Sequence, residues 1–248
     1  AQGPENFEAR SIANSPYIRE SQRLGLADVG DPKNTVFIPA YDVQSQGLHP
    51  KKKREHGWRA AKWALSKVYA VKGIGWHDPV KLTSAGPHDD MMVLTFDARV
   101  QPDDGSSIPR GFSIAGEDGK FYMAHARYAD HGDNSFWTHG HRTIRAWSPL
   151  VDKPVAVRYG WGTAPMGNLK VNGNQDQPLP SFRTDSWDLP ESDDPAVNAI
   201  TSEVTKQAKA DAEARLAERK EAETVQQILD KVETLSAPLE SAGKEAKE

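Results

Sequence analysis

The chain has 248 residues, no cysteine and a formal net charge of −4 at pH 7. Without cysteine there is no disulfide framework, Cys-ligated zinc, iron–sulfur cluster or thiol nucleophile. The mildly acidic balance makes no global field for nucleic acid, and no run approaches the roughly 20 apolar residues of a membrane span. Hydrophobic residues make up 37% and mean hydropathy is −0.69, so part of the chain stays outside any core. All seven Trp fall between Trp58 and Trp187, which puts that core in the middle of the chain.

In chain order, residues 1–14 are polar and without period. Residues 15–70 are expected to run helix, strand, loop, helix. Ser15 and Pro16 punctuate the start of a helix over Tyr17–Leu26, and the β-branched run Asn34–Ile38 predicts a buried strand. Pro50 opens a second helix over Lys51–Tyr69, in which Trp58, Ala61, Leu65 and Val68 predict one buried stripe.

Residues 71–188 alternate turn clusters with short β-type runs: Met91–Phe96, Gly111–Ala115, Phe121–Tyr128, Thr143–Trp147 and Val155–Trp161. Strands so short and so closely spaced predict a β-rich, sandwich-like module. Residues 189–248 have no aromatic and no Gly until Gly243. They predict a linker, a long exposed C-terminal helix ending near Pro238, and a disordered tail. Residues 196–236 are a candidate for docking on a partner helix.

His49 stands on a loop after the 34–38 run and just before the second helix. Groups beyond the carboxyl end of a strand are where α/β folds do chemistry. A histidine there can take a proton from a nucleophile if a carboxylate orients its other nitrogen; a helix-capping surface histidine fits the same position. His125, His131, His139 and His141 form a second group. His139 and His141 can share one strand face, but turn formers surround them and no third metal ligand is suitably spaced. His88-Asp89-Asp90 reads as a hairpin turn. Trp76, Trp137 and Trp161 are candidates for a sugar-stacking platform, but in a β-module with this many Trp core packing is the favoured explanation. Gly111-Phe112-Ser113-Ile114-Ala115-Gly116 is one residue too long for a nucleophile elbow, so no serine nucleophile is identifiable. No cofactor or metal set is recognisable.

Over about 170 residues (approximate span of residues 15–188) the order of several segments resembles a known family. These are Arg19-Glu20-Ser21-Gln22-Arg23, Leu48-His49-Pro50-Lys51-Lys52-Lys53 and Gly57-Trp58-Arg59-Ala60-Ala61-Lys62-Trp63-Ala64-Leu65. They are followed by Gly111–Asp118 with Lys120-Phe121-Tyr122, then Lys153–Trp161, Asn168-Leu169 and Leu179–Trp187. Together they resemble the carboxyl-terminal half of sialate O-acetylesterase-like proteins, which are SGNH hydrolases. The resemblance implies that 15–70 is an α/β fragment, the terminal part of a three-layer SGNH domain, with the β-rich module after it.

It also implies that His49 is the catalytic histidine of a carbohydrate O-acetylesterase. Gln46 stands where the family places an aspartate three residues before that histidine, which leaves Asp42 as the nearest upstream acid. The serine nucleophile is implied to come from an upstream or partner segment. The implied partners are therefore an acetylated glycan and another polypeptide that completes the hydrolase domain, with no nucleic acid and no membrane span. The first residues, Ala1-Gln2-Gly3, suit either signal-peptide removal or excision from a longer chain, so the expected location is secreted or periplasmic. The rival reading is a non-catalytic glycan-binding or structural subunit derived from such an esterase.

Overall fold

The computed structural model describes residues 14–29, 31, 33–43, 53–129, 141–162 and 167–188, with single positions between 210 and 227. Every strand ladder among these residues is antiparallel and lies between Leu82 and Arg183.

One sheet is organised by a single long strand. β1 (Leu82–His88) and β2 (Met91–Pro102) form a hairpin, and β2 also pairs along its other edge with β6 (His141–Trp147). Beyond a shift in register between Thr95 and Val100, β8 (Leu169–Val171) takes over the edge that β1 leaves. β5 (His125–Tyr128) and β9 (Asn174–Pro178) complete the six-stranded order. The alternation along β2 decides which way it faces: Met92, Leu94, Phe96, Ala98 and Val100 are buried, while Met91, Val93 and Thr95 are half-buried.

The second sheet has β10 (Phe182–Arg183), β7 (Ala156–Tyr159), β3 (Phe112–Ala115) and β4 (Tyr122–Met123) in that order. Inner residues of both sheets share one core, joined by Phe96 against Phe182 and by Tyr159 between Phe112 and Phe182. β3 and β7 are buried along their whole length. Their outer face carries Ala115 and Ala156 under Phe121 and Trp187. Buried phenols tie the ends together: the Tyr159 hydroxyl accepts the Leu169 N–H at 2.9 Å, and the Tyr41 hydroxyl donates to the Leu179 carbonyl at 2.6 Å. Burial raises both phenols above their ordinary pKa, so both stay neutral.

Gly167 is required by this packing, because a Cβ there would lie 2.7 Å from the Tyr159 hydroxyl oxygen. That ring is fully buried and cannot step aside. Gly167→Ala is expected to cost about 2 kcal/mol, read by urea unfolding. An unchanged midpoint would mean that the loop before β8 gives way instead.

Residues 15–70 correct the sequence reading. α1 (Asn14–Val29) is present, but Thr35–Ala40 pairs with no strand. The expected α/β fragment is therefore overturned: among the described residues the architecture is two antiparallel sheets with two helices beside them. A β-branched run favours extended backbone but supplies no ladder partner. Here the segment is held by contacts to its neighbours, and leads into a single 3₁₀ turn at Tyr41–Val43.

The second helix, α2 (Lys53–Trp63), gives way to a π turn over Ala64–Val68, where the Tyr69 N–H reaches the Ala64 carbonyl at 2.9 Å. Trp58 and Ala61 are exposed within α2 itself, and the widened turn shifts the phase of Leu65 and Val68 after it, so the four do not form one buried stripe. Trp58 is half-exposed under the Lys62 ammonium, and the buried residue of α2 is Arg59. The long C-terminal helix and the 196–236 docking segment lie outside the described residues except for single positions, and no helix is among the described elements there.

Candidate functional site

α1 is fastened to the second sheet by the motif Arg19-Glu20-Ser21-Gln22-Arg23. Arg19 donates to the carbonyls of Gly160 and Gly162 at 3.0 and 2.6 Å and to Ser181 Oγ at 3.2 Å. Glu20 is buried, accepts a two-pronged bond from Arg23 and lies 3.6 Å from Arg183. Arg183 pairs with Asp185, and Asp185 takes both prongs of Arg158 at 2.8 and 3.0 Å. The Arg158 guanidinium lies over the rings of Phe121 and Trp161. Trp161 is itself buried against Tyr17, so it is core and no sugar platform.

A second charged cluster lies at Asp42. Its two oxygens accept Arg59 at 2.8 and 2.5 Å, and Lys170 stands 3.3 Å away, itself 2.8 Å from Asp103. Arg59 also donates to the Pro39 carbonyl at 2.8 Å. Burial pushes the Asp42 carboxyl up, but the hydrogen bonds and charge of Arg59, aided by Lys170, outweigh it and hold the group below its ordinary pKa. Asp42 is thus an ionised carboxylate already occupied by two cations. Residues 44–52 run from just beyond Asp42 to the start of α2, so the Asp42–Arg59 fork closes the base of the segment that carries Gln46 and His49. His49 and Gln46 themselves lie outside the described residues.

Beside the fork is a narrow cleft walled by Phe37, Ile38, Pro39, Trp76, Pro79 and Val171. Gln177 holds its far side, accepting the His77 N–H at 2.9 Å and donating back to the His77 carbonyl. The Trp76 indole N–H is buried with no acceptor among the described residues.

The remaining candidates are scattered. Ser113 is fully buried on β3, opposite Arg158 and Met123, and its hydroxyl meets no hydrogen-bond partner among the described residues; a substrate cannot reach it. His125 packs on Trp147 and His141 on Tyr128, while His131, His139 and Trp137 lie outside the described residues. Among the described residues no three His, Asp or Glu side chains are grouped to hold a metal ion. His88 and Asp89 pair in an exposed hairpin turn, with Asp89 at a φ of 55°. Among the described residues no helix is long and apolar enough to cross a membrane. The two arginine clusters were not predicted from sequence. Their arginines stand in the segments that carry the family resemblance, whereas Asp42, Asp103 and Lys170 do not, and nothing in the chain order announces that they meet.

No family model and no curated protein matches the chain. Among solved structures it is similar to a carbohydrate acetylesterase from Xanthomonas citri, with 29% identity, a TM-score of 0.52 and 75% of this chain covered. The match takes in 38% of that protein's chain, so the shared part is well under half of the esterase. Over that part, this chain shares the fold of a carbohydrate acetylesterase.

Proposed function

We propose that the chain is the carboxyl-terminal part of a carbohydrate O-acetylesterase of the sialate O-acetylesterase-like kind. In this reading it acts outside the cytoplasm, secreted or periplasmic. The observation that carries the reading is the 29% identity with a carbohydrate acetylesterase across three quarters of the chain. The fork at Asp42 and Arg59 supports it by giving the His49 segment fixed ends. His49 would serve as base toward a serine hydroxyl and then as acid toward the leaving sugar oxygen, with water releasing acetate. The serine would come from another segment or polypeptide.

The second reading, a non-catalytic glycan-binding or structural subunit, is favoured by one observation: the nearest candidate acid, Asp42, already has both oxygens bound to Arg59. Hydrolysis of p-nitrophenyl acetate separates the two. The chain mixed with the polypeptide encoded immediately upstream is expected to release p-nitrophenol, and His49→Ala is expected to cut that rate by about 10²–10⁴-fold, the usual worth of a general base. A mixture no faster than its His49→Ala counterpart would leave the second reading standing.

A further inference from the structure

The outer face of the six-stranded sheet is laid out in rows by its register. In one row, Met91 stands between His88 and Trp147, and Trp147 stands opposite His125. In the next, Val93 stands between Gly86 and Arg145, and Arg145 stands opposite Arg127. The two rows lie about 7 Å apart, two residues along a strand. The alternate residues Met92, Leu94, Ile144, Ala146 and Ala126 are core, so these rows face outward.

Two features of this face bear on binding. Arg127 and Arg145 are like charges directly opposite each other, an arrangement that destabilises a sheet by up to about 1 kcal/mol. Among the described residues neither has a carboxylate partner, and the Arg145 Nε is buried without an acceptor. Asp89 pairs with His88 at 3.2 Å, and Asp97 accepts the Lys81 N–H at 2.9 Å. The second feature is the half-buried Trp147 ring, flanked by His125 at 5.6 Å and by the Arg127 guanidinium at 5.4 Å. Across the row Gly86 contributes no side chain, and nothing lies within 4 Å of where its Cβ would be.

We propose that this face binds a carboxylate-bearing polysaccharide. Paired guanidiniums match a carboxylate through parallel charge-assisted hydrogen bonds, and an indole offers the apolar surface on which the C–H face of a pyranose packs. A polyanion relieves the Arg127–Arg145 repulsion that the free protein carries. Nucleic acid fits less well, because the chain as a whole bears a net charge of −4 and lacks the extended basic field that phosphate backbones need. The proposal uses neither His49 nor Asp42, so it goes beyond the esterase reading.

Affinity electrophoresis of the full chain tests it, with polygalacturonate, neutral hydroxyethylcellulose or polyuridylate in the gel. Retardation is expected in polygalacturonate alone. Arg127→Glu, at an exposed position, is expected to weaken it by about tenfold or more, as loss of a charged hydrogen bond does. Trp147→Ala is expected to weaken it as well, with an unfolding curve to show that the sheet is intact. Lys53→Glu, exposed on α2, makes the same charge change elsewhere and should leave it unaltered. No retardation in polygalacturonate, equal retardation in polyuridylate, or an Arg127→Glu variant that still binds would overturn the proposal. Binding is read without ester hydrolysis, so the outcome is independent of the esterase assay.

Discussion

Replacing Asp185 with alanine is expected to destabilise the protein by about 3–5 kcal/mol, the usual cost of leaving a buried charge without its partner. Asp185 side-chain exposure is 2% and that of Arg158 is 9%. Removing the carboxylate strands the Arg158 guanidinium under Phe121 and Trp161, while Arg183 keeps Glu20 and the Trp187 carbonyl. For a chain of this size a loss of that order lowers the melting temperature by roughly 10 °C. Loss of the ion pair is separable from loss of packing. Arg158→Met combined with Asp185→Leu removes both charges and is expected to recover most of the stability, because an apolar pair of similar volume is often no worse than a buried ion pair. If Asp185→Ala shifts the thermal midpoint by less than about 2 °C, water reaches the pair and the site is no longer a buried clamp.

The second large effect is expected at Arg59. Arg59→Met keeps the length of the side chain but removes three hydrogen bonds, two to Asp42 and one to the Pro39 carbonyl. Lys170 remains at 3.3 Å from Asp42, so the cost is placed near the low end for a broken buried pair, about 3 kcal/mol. The pH dependence supplies an independent check. Asp42 has a depressed pKa in the folded state, so its contribution is fully present above the ordinary carboxylate value and is lost as pH falls through the folded value. The stability gap between wild type and Arg59→Met is therefore expected to be widest near neutrality and to narrow on acidification below about pH 4. Urea unfolding at neutral and at acid pH reads both numbers. A gap that stays constant would assign the role of Arg59 to the Pro39 carbonyl and not to Asp42.

Some of this was legible in the sequence, and the reason differs from element to element. The run Met91–Phe96 announced a strand because Met92, Leu94 and Phe96 alternate toward a core, and the structure extends it to Pro102 past a shift in register. Thr35–Ile38 has strand chemistry too, but residue type reports backbone preference and not the presence of a neighbour; the segment is extended and unpaired. α2 was misread twice over: its apolar Trp58 and Ala61 are exposed while Arg59 is buried, and the stripe was counted at a constant helical period through a π turn. The ion pairs were invisible for a different reason. Arg19 and Ser181 are 162 residues apart, and Arg158 and Asp185 are 27 apart, so no local pattern joins them. Sequence order supplied the family resemblance, and the structure shows that several of its carrying residues are clamps between segments. His49, the base in the proposed reading, was singled out by its position before the second helix and given its role by that resemblance.

The Asp42–Arg59 fork has a consequence for how this part of the molecule can change over time. A loop with pinned ends contributes to closure entropy only logarithmically in its length, about 0.6 kcal/mol for each doubling. A change of length between Asp42 and α2 is therefore expected to cost folding little, whereas a change of Asp42 or Arg59 is not. Variation and folding are in this way placed under separate selection: one stretch of the chain can drift while two residues keep its flanks together.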